Sequence, residues 1–231
     1  MSDRYTVPQW ERAALLTIDV QEDFLHPGAA TWSPDKDHAV SVTAGLADLF
    51  RREGLPVVHI VRLYRPDGSN ADACRRQRIE SGHRIVEPGT GGAEIVAALK
   101  PSGASRLDAE TLLAGGIQSW TPREWVIYKP RWGAFYSTPL EGHLRAQGVT
   151  TLAVCGFNFP NCPRATIYEA TERDFRVVMV RDGVSGLYER GIEEIRHIGV
   201  AVTVSYTHLR AHETPEHLVC RLLLEKKKNH L

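Results

Sequence analysis

The sequence predicts an α/β fold: three layers, α/β/α, built on a six-stranded parallel sheet. Three observations carry this reading. Short apolar runs of strand length recur along the chain, with the near-continuous hydrophobicity of strands buried on both faces. Stretches with apolar residues at helical spacing lie between them. Strand and helix alternate throughout, which favours a parallel sheet covered on both faces, with right-handed crossovers.

The first strand is Ala13-Ala14-Leu15-Leu16-Thr17-Ile18, and Asp19 stands at its carboxyl end. A single Asp in that place commonly does no more than end a strand or cap a turn. His26-Pro27-Gly28 opens a loop. A helix is expected from about Asp37 to Arg52, with Val40, Ala44, Ala47 and Phe50 on one face and Gly54 as its stop. Pro56 to Val61 is the second strand and ends at Arg62. Tyr64 to Trp120 is the least regular part, with a turn-rich loop from Arg65 to Asn70, a basic patch (Arg75-Arg76-Gln77-Arg78) and a short helix over Ala93 to Leu99. So long an excursion in a compact domain is more often functional than idle. It reads as a lid or substrate-pocket segment, or as part of a subunit contact. The basic patch reads first as a solvated face, with contact to substrate or partner as the alternative.

Glu124 to Tyr128 forms the third strand and leads into Lys129-Pro130-Arg131-Trp132-Gly133-Ala134-Phe135. A helix over 138–147 and a strand over 150–155 follow. Helix is expected again from Pro163 to about Arg173, strand from Arg176 to Val180, helix over 188–198, and a sixth strand from Ala201 to Val204. Asp19, Lys129 and Cys162 each follow the carboxyl end of a different strand, so all three belong to one edge of the sheet. Open α/β sheets bind their ligands at that edge.

Cys162 has the most telling surroundings. A buried strand meets Gly156 and a Pro-bounded turn, and Pro163 suits the first turn of the helix that follows. A thiol at a helix N-terminus is expected to have a lowered pKa, and the free N–H groups there suit an oxyanion. The local pattern alone leaves two readings open, a nucleophile or a buried packing thiol.

Composition bounds the function. The 28 basic and 28 acidic side chains balance, so nothing points to a polyanion such as nucleic acid. Four scattered cysteines, Cys74, Cys155, Cys162 and Cys220, form no CxxC pair; neither a structural zinc site nor a disulfide framework is expected, and a reducing cytoplasm is the natural setting. Met1 to Tyr5 lacks an apolar leader core, and no stretch approaches membrane-spanning length. Residues 1–204 read as one domain. From Ser205 to Leu231 the chain is rich in His, Arg, Glu and Lys and adds no further strand–helix unit. SYTHLRAHETPEHLVCRLLLEKKK resembles a tail that recurs on unrelated translated sequences, so 205–231 is expected to be non-native or poorly ordered. His208 and His212 have ligand-like i, i+4 spacing, but no suitable Glu motif accompanies them.

Three blocks of the chain resemble the isochorismatase-like cysteine hydrolases, the superfamily of nicotinamidases, N-carbamoylsarcosine amidases and isochorismatases. They are LLTIDVQEDF with Asp19, YKPRWGAFYSTPLEGHL with Lys129, and CGFNFPNCPRATIYEA with Cys162, in the family's order. The likeness covers about residues 10–204. It implies the strand order 3-2-1-4-5-6, with Lys129 reaching across the second strand, and it favours the nucleophile reading of Cys162. Asp19 is then the acid/base and Lys129 its electrostatic partner. The backbone N–H groups of Asn161 and Cys162 become the candidate oxyanion hole, and the peptide between Phe157 and Asn158 is expected to be cis.

Nicotinamidases carry an Asp-x-His metal motif after the second strand. Here that stretch reads His59-Ile60-Val61-Arg62-Leu63-Tyr64, so neither a metal nor another cofactor is expected. Phe24, Arg62, Arg131 and Trp132 are the candidate substrate-binding residues; two arginines suit a carboxylate and Trp132 a planar or apolar group. Arg62, Arg131 and Trp132 read equally well as salt-bridge or packing residues. The expected reaction is hydrolysis of a small amide or carbamoyl C–N bond by a cytoplasmic homo-oligomer acting on a small molecule, without nucleic acid or membrane. The rivals are vinyl-ether cleavage of the isochorismatase type and a catalytically inactive binding or assembly module.

Overall fold

The structure, a computed structural model, describes residues 3–28 and 33–205. Seven strands form one sheet: β1 (Ala13–Ile18), β2 (Val57–Val61), β3 (Ile117–Thr121), β4 (Glu124–Tyr128), β5 (Thr151–Gly156), β6 (Arg176–Val184) and β7 (Ala201–Thr203), in the order β3-β4-β2-β1-β5-β6-β7. Six of them are parallel and stand in the expected order. The seventh is a correction: β3 pairs antiparallel with β4 at the edge, so the sheet is mixed. Its sequence, Ile117-Gln118-Ser119-Trp120-Thr121, is only half-buried and lacks the apolar run that marks a central strand.

Alternation along the strands explains the three layers, because successive side chains point to opposite faces. Leu16 and Ile18 pack with Leu140, Leu144 and Ile167, which belong to α4 (Leu140–Ala146) and α5 (Cys162–Thr171). Ile192 and Ile195 of α6 (Glu189–His197) join the same layer. Ala13 and Leu15 point the other way, against Leu46, Ala47 and Phe50 of α1 (Lys36–Arg52). The buried face of α1 is therefore centred on Ala39, Thr43, Leu46, Ala47 and Phe50, with Val40 and Ala44 at its margin.

The expected helix over Ala93 to Leu99 shrinks to a single 3-10 turn, Ala97–Leu99. The preceding backbone is used elsewhere: Glu94 O accepts from Glu22 N–H and Val96 N–H donates to Val20 O. Two helices fall in the stretch read as irregular, α2 (Ala73–Glu80) and α3 (Ala109–Leu113). Only Ile79 of α2 is buried, so it offers no apolar stripe to read. No described helix is long and apolar enough to cross a membrane. The tail expected from 205 onward, with His208 and His212, lies outside the described residues beyond Ser205.

One buried polar network ties the sheet to α1. Arg51 makes a bidentate contact with Glu124, at 2.9 Å from Nε and 2.7 Å from Nη2. His59 Nε2 lies 2.7 Å from Glu124 Oε1, and its Nδ1 lies 2.7 Å from Thr17 Oγ1. Burial pushes the His59 pKa down, so the neutral ring donates from Nε2 and accepts the Thr17 hydroxyl. Burial works to raise the Glu124 pKa, but hydrogen bonds from Arg51 and His59 outweigh it and hold the carboxyl below its ordinary value.

Both shifts act in the same direction on stability. The unfolded chain takes up protons that the fold refuses, first near the ordinary His value of 6.5 and then near the ordinary Glu value of 4.5, so stability falls as pH drops through those ranges. Glu124→Ala is expected to cost about 3 kcal/mol in urea unfolding at pH 7, since it strands a buried imidazole N–H and removes the bidentate partner of Arg51, which keeps only Asp48 and Leu99 O. A loss below roughly 0.5 kcal/mol, the scale of an ordinary surface substitution, would show that the network carries no weight.

Candidate active site

β1 delivers Asp19 in the left-handed region, at φ 54°, a conformation that Asp tolerates better than most residues. Asp19 N–H donates to Ile60 O at 2.9 Å, and Gln21 N–H closes the turn onto Asp19 O. Lys129, one residue past β4, donates its N–H to Val61 O of β2. Because β2 lies between β1 and β4, the lysine stem crosses it, and Nζ reaches Asp19 Oδ2 at 2.8 Å. Both groups are buried. Asp19 Oδ1 is buried too, and it has no hydrogen-bond partner among the described residues.

β5 brings the sulfur to the same place. Gly156 pairs with Ile18 at φ 123°, and a Cβ there would stand 2.1 Å from Ile18 O. Only glycine lets the two strand ends approach so closely. The turn over residues 157–161 then leads into α5, with Cys162 as its first residue and Pro163 in its first turn. Cys162 is 7% exposed and lines a cleft with Asp19, Phe24, Arg62, Trp132 and Asn161.

The thiol differs from its expected state. Burial, then the charge of Asp19, push its pKa up to about 12, and Lys129 offsets only part of this. The helix N-terminus does not overcome desolvation. The resting sulfur is therefore a thiol beside a carboxylate.

The turn departs from expectation in two further ways. No described peptide bond is cis, so Phe157–Asn158 is trans, which corrects the expected cis peptide. The trans bond avoids a penalty of roughly 3–4 kcal/mol, and Gly156 and Asn161 (φ −115°, ψ −101°) absorb the turn instead. Of the two expected oxyanion donors, Asn161 N–H already donates to Asn158 O at 3.0 Å. Cys162 N–H has no partner among the described residues.

The four expected substrate-binding residues are placed differently from one another. Phe24 is buried in the cleft wall. Trp132 is 38% exposed and stands between this cleft and a wider groove of about 350 Å³, where Arg131, Tyr136 and Glu169 also lie. Arg131 belongs to that outer groove, and its Nη1 donates to Pro130 O at 2.7 Å. Arg62 does line the cleft, but its guanidinium is committed to the protein. It donates to Lys129 O at 3.1 Å, to Tyr64 Oη at 2.9 Å and to Asp72 Oδ2. Asp72 is buried, yet the Arg62 charge and hydrogen bond, with that of Tyr64, hold its pKa below the ordinary carboxylate value.

These residues also decide how a metal would fit. Arg62 and Tyr64 stand after β2, where the resemblance has its metal motif. A guanidinium has no lone pair to give, and the phenol is tied to Arg62 and Asp72. That donor set does not suit a divalent cation.

Sequence reasoning missed three contributors. Tyr64 and Asp72 fix Arg62, yet no local pattern marks them. Lys36 is buried at the start of α1, with Nζ 4.9 Å from the Phe157 ring centre and donating to Phe24 O; burial lowers its pKa to about 8. A lysine in a first helical turn usually reads as solvated.

The family model for the isochorismatase domain matches residues 13–114 and 110–205. The chain belongs to the isochorismatase family. An isochorismatase family protein from Desulfovibrio vulgaris has the same fold with a TM-score of 0.71 and 36% identity, covering 84% of this chain and 94% of that one. Maleamate amidohydrolase of Pseudomonas putida is 30% identical over 173 residues, 75% of this chain and 72% of that protein. A probable inactive nicotinamidase of Arabidopsis thaliana is 29% identical over 199 residues, 83% of this chain and 92% of that protein. This isochorismatase family member thus has relatives that include an amidohydrolase, and one described as probably inactive.

Proposed function

We propose that this chain is a cysteine hydrolase that cleaves a small amide or carbamoyl C–N bond through a thioester on Cys162. The observation that supports the reading best is convergence at one cleft: Asp19 and Cys162 both line it, and Asp19 Oδ2 is held by Lys129 at 2.8 Å. The Asp19 charge acts on the Cys162 thiol more strongly than that of Lys129, which supports the carboxylate as the group that takes its proton. In this reading Oδ1 takes the thiol proton as Sγ attacks the carbonyl carbon, and the oxyanion develops toward Cys162 N–H. Asn161 N–H joins only by leaving Asn158 O.

Asp19 then gives its proton to the leaving nitrogen, the C–N bond breaks, and the thioester remains. Asp19 next takes a proton from water, the resulting hydroxide attacks the thioester, and the sulfur leaves and recovers the proton. The sum is amide plus water giving acid plus amine. Lys129 stays ion-paired with Asp19 and keeps that carboxylate oriented. A high thiol pKa suits this scheme, because the proton moves only when a carbonyl is in place to receive the sulfur. A free thiol also suits a reducing cytoplasm, and Cys74, Cys155 and Cys162 are all unbridged.

The test is intact-protein mass spectrometry with a panel of small amides and carbamoyl compounds, together with an ammonia assay. A mass adduct on Cys162 and ammonia release are expected. Pyruvate release from a vinyl ether, without ammonia, would move the reading to the isochorismatase reaction. Failure of every amide to give either an adduct on Cys162 or ammonia would leave the inactive module. Because Arg62 and Tyr64 suit no metal, turnover is expected to survive exhaustive chelation; a loss that zinc restores would overturn that point.

A further inference from the structure

The ties of Arg62 lead to the reacting groups on both sides. Its N–H donates to Gln21 Oε1 at 2.8 Å, and its carbonyl accepts from Gln21 Nε2 at 2.9 Å. Gln21 in turn closes the turn that carries Asp19, with its own N–H on Asp19 O. On the other side Arg62 Nη1 donates to Lys129 O at 3.1 Å, while Lys129 N–H donates to Val61 O. Both backbone polar groups of Lys129 are thus fixed by consecutive residues, 61 and 62. Arg62 Nη2 donates to Tyr64 Oη and Asp72 Oδ2, and the Tyr64 hydroxyl donates to the same Asp72 oxygen. Gln21, Arg62, Tyr64 and Asp72 are all buried. A guanidinium so engaged keeps its charge at any working pH and is not free to follow a substrate.

That charge also faces the sulfur. Cys162 meets Asp19 from the end of β1, Lys129 from the end of β4 and Arg62 from the end of β2; the acid works to raise the thiol pKa, Lys129 and then Arg62 to lower it. Lys36, at the start of α1, adds its charge near Asp19, and the half-buried Arg75 lines the cleft from α2. Lys129 gives its ion pair to Asp19. The partner of Arg62, Asp72, lines the outer groove and not the cleft, so this cation is anchored from outside. When the thiol proton passes to Asp19, the S–H bond breaks, an O–H bond forms, and the negative charge moves from carboxylate to sulfur.

We infer that Arg62 is a positioning residue: it fixes the Lys129 backbone against the turn that carries Asp19, and it holds a permanent cation beside the sulfur on which negative charge arises. This rests on Cys162 as the reacting group and on no particular substrate. The guanidinium occupies the place after β2 where the resemblance has its metal motif, so the positive charge of that place is covalent here.

Two charge-free pairs test the role, Arg62→Gln with Asp72→Asn and Arg62→Met with Asp72→Leu, beside Arg62→Lys. Removing both charges together leaves no buried ion without its partner, and apolar replacement of a buried ion pair often preserves stability. Iodoacetamide labelling of Cys162 at about pH 8.5, followed by peptide mass spectrometry, is expected to slow about 3- to 30-fold in a folded charge-free pair. In Arg62→Lys it should stay within about 3-fold of the wild type, because the charge remains. Labelling of a folded pair at the wild-type rate or faster would overturn the inference. So would a loss in Arg62→Lys as large as in the pair.

Turnover supplies the second readout. For any amide that the wild type hydrolyses, a charge-free pair is expected to lower kcat about 10- to 100-fold with KM within about 3-fold, and Arg62→Lys to restore part of kcat. A rise in KM at unchanged kcat would make Arg62 a substrate ligand and refute the inference. Labelling needs no substrate, which separates this role from the hydrolytic reading. Arg62-dependent labelling would uphold the inference with no amide turned over; labelling indifferent to Arg62 would refute it even if hydrolysis were established.

Discussion

Cys162→Ala is expected to bring amide turnover down to background, a loss on the order of 10⁴-fold or more, with the fold intact. The substitution removes one sulfur from the first turn of α5 and leaves its backbone N–H in place. Cys162 is buried but small, so the melting temperature should stay within about 4 °C of the wild type. The mass adduct formed with an amide substrate must vanish in the same variant. Activity near that of the wild type would end the covalent mechanism, whatever the other residues do. Loss of fold would be a separate result, visible in circular dichroism, and Cys162→Ser then serves as the isosteric check.

Asp19→Asn is expected to have two effects of opposite sign. Turnover should fall about 10²–10⁴-fold, because the amide side chain cannot carry the proton from sulfur to nitrogen. Alkylation of Cys162 by iodoacetamide should nevertheless speed up at neutral pH. The Asp19 charge is the largest influence after burial raising the thiol pKa, and Lys129 acts the other way; removing the carboxylate leaves the lysine to favour thiolate. In the wild type the alkylation rate should keep climbing toward high pH, since the thiol sits near 12. Asparagine also tolerates the left-handed backbone at this position, which keeps the comparison one of charge rather than strain. A variant that turns over well would remove Asp19 as the proton carrier. A variant whose thiol reacts no faster would show that the carboxylate does not govern the sulfur.

The pairing of these two variants separates roles that a single loss of activity would merge. A residue needed only for packing would slow turnover without accelerating alkylation. A relative described as probably inactive makes the distinction worth drawing here, because membership of the isochorismatase family does not by itself supply turnover.

The sheet was legible because its central strands are buried on both faces. Ala13–Ile18 and Thr151–Gly156 are apolar at nearly every position and wholly buried, so composition reveals them directly. β3 and α2 escaped for the opposite reason. Edge and surface elements bury little, and their sequences are nearly free of pattern. The helix expected over 93–99 failed because residues 94–96 give their backbone groups to the segment after β1, a non-local pairing that propensity does not register.

What the sequence alone determined is where three central strands end and which acid, amine and thiol side chains follow them. Strand periodicity is a local property, and the topological rule that puts strand ends on one edge needs no coordinates. Only the tertiary structure decided the state of those groups: that the thiol is pushed up rather than down, that Asn161 N–H is already engaged, and that Arg62 is bound to Asp72. Desolvation and hydrogen-bond partnership depend on what residues distant in the chain bring to the same few ångströms, and no single segment holds that information.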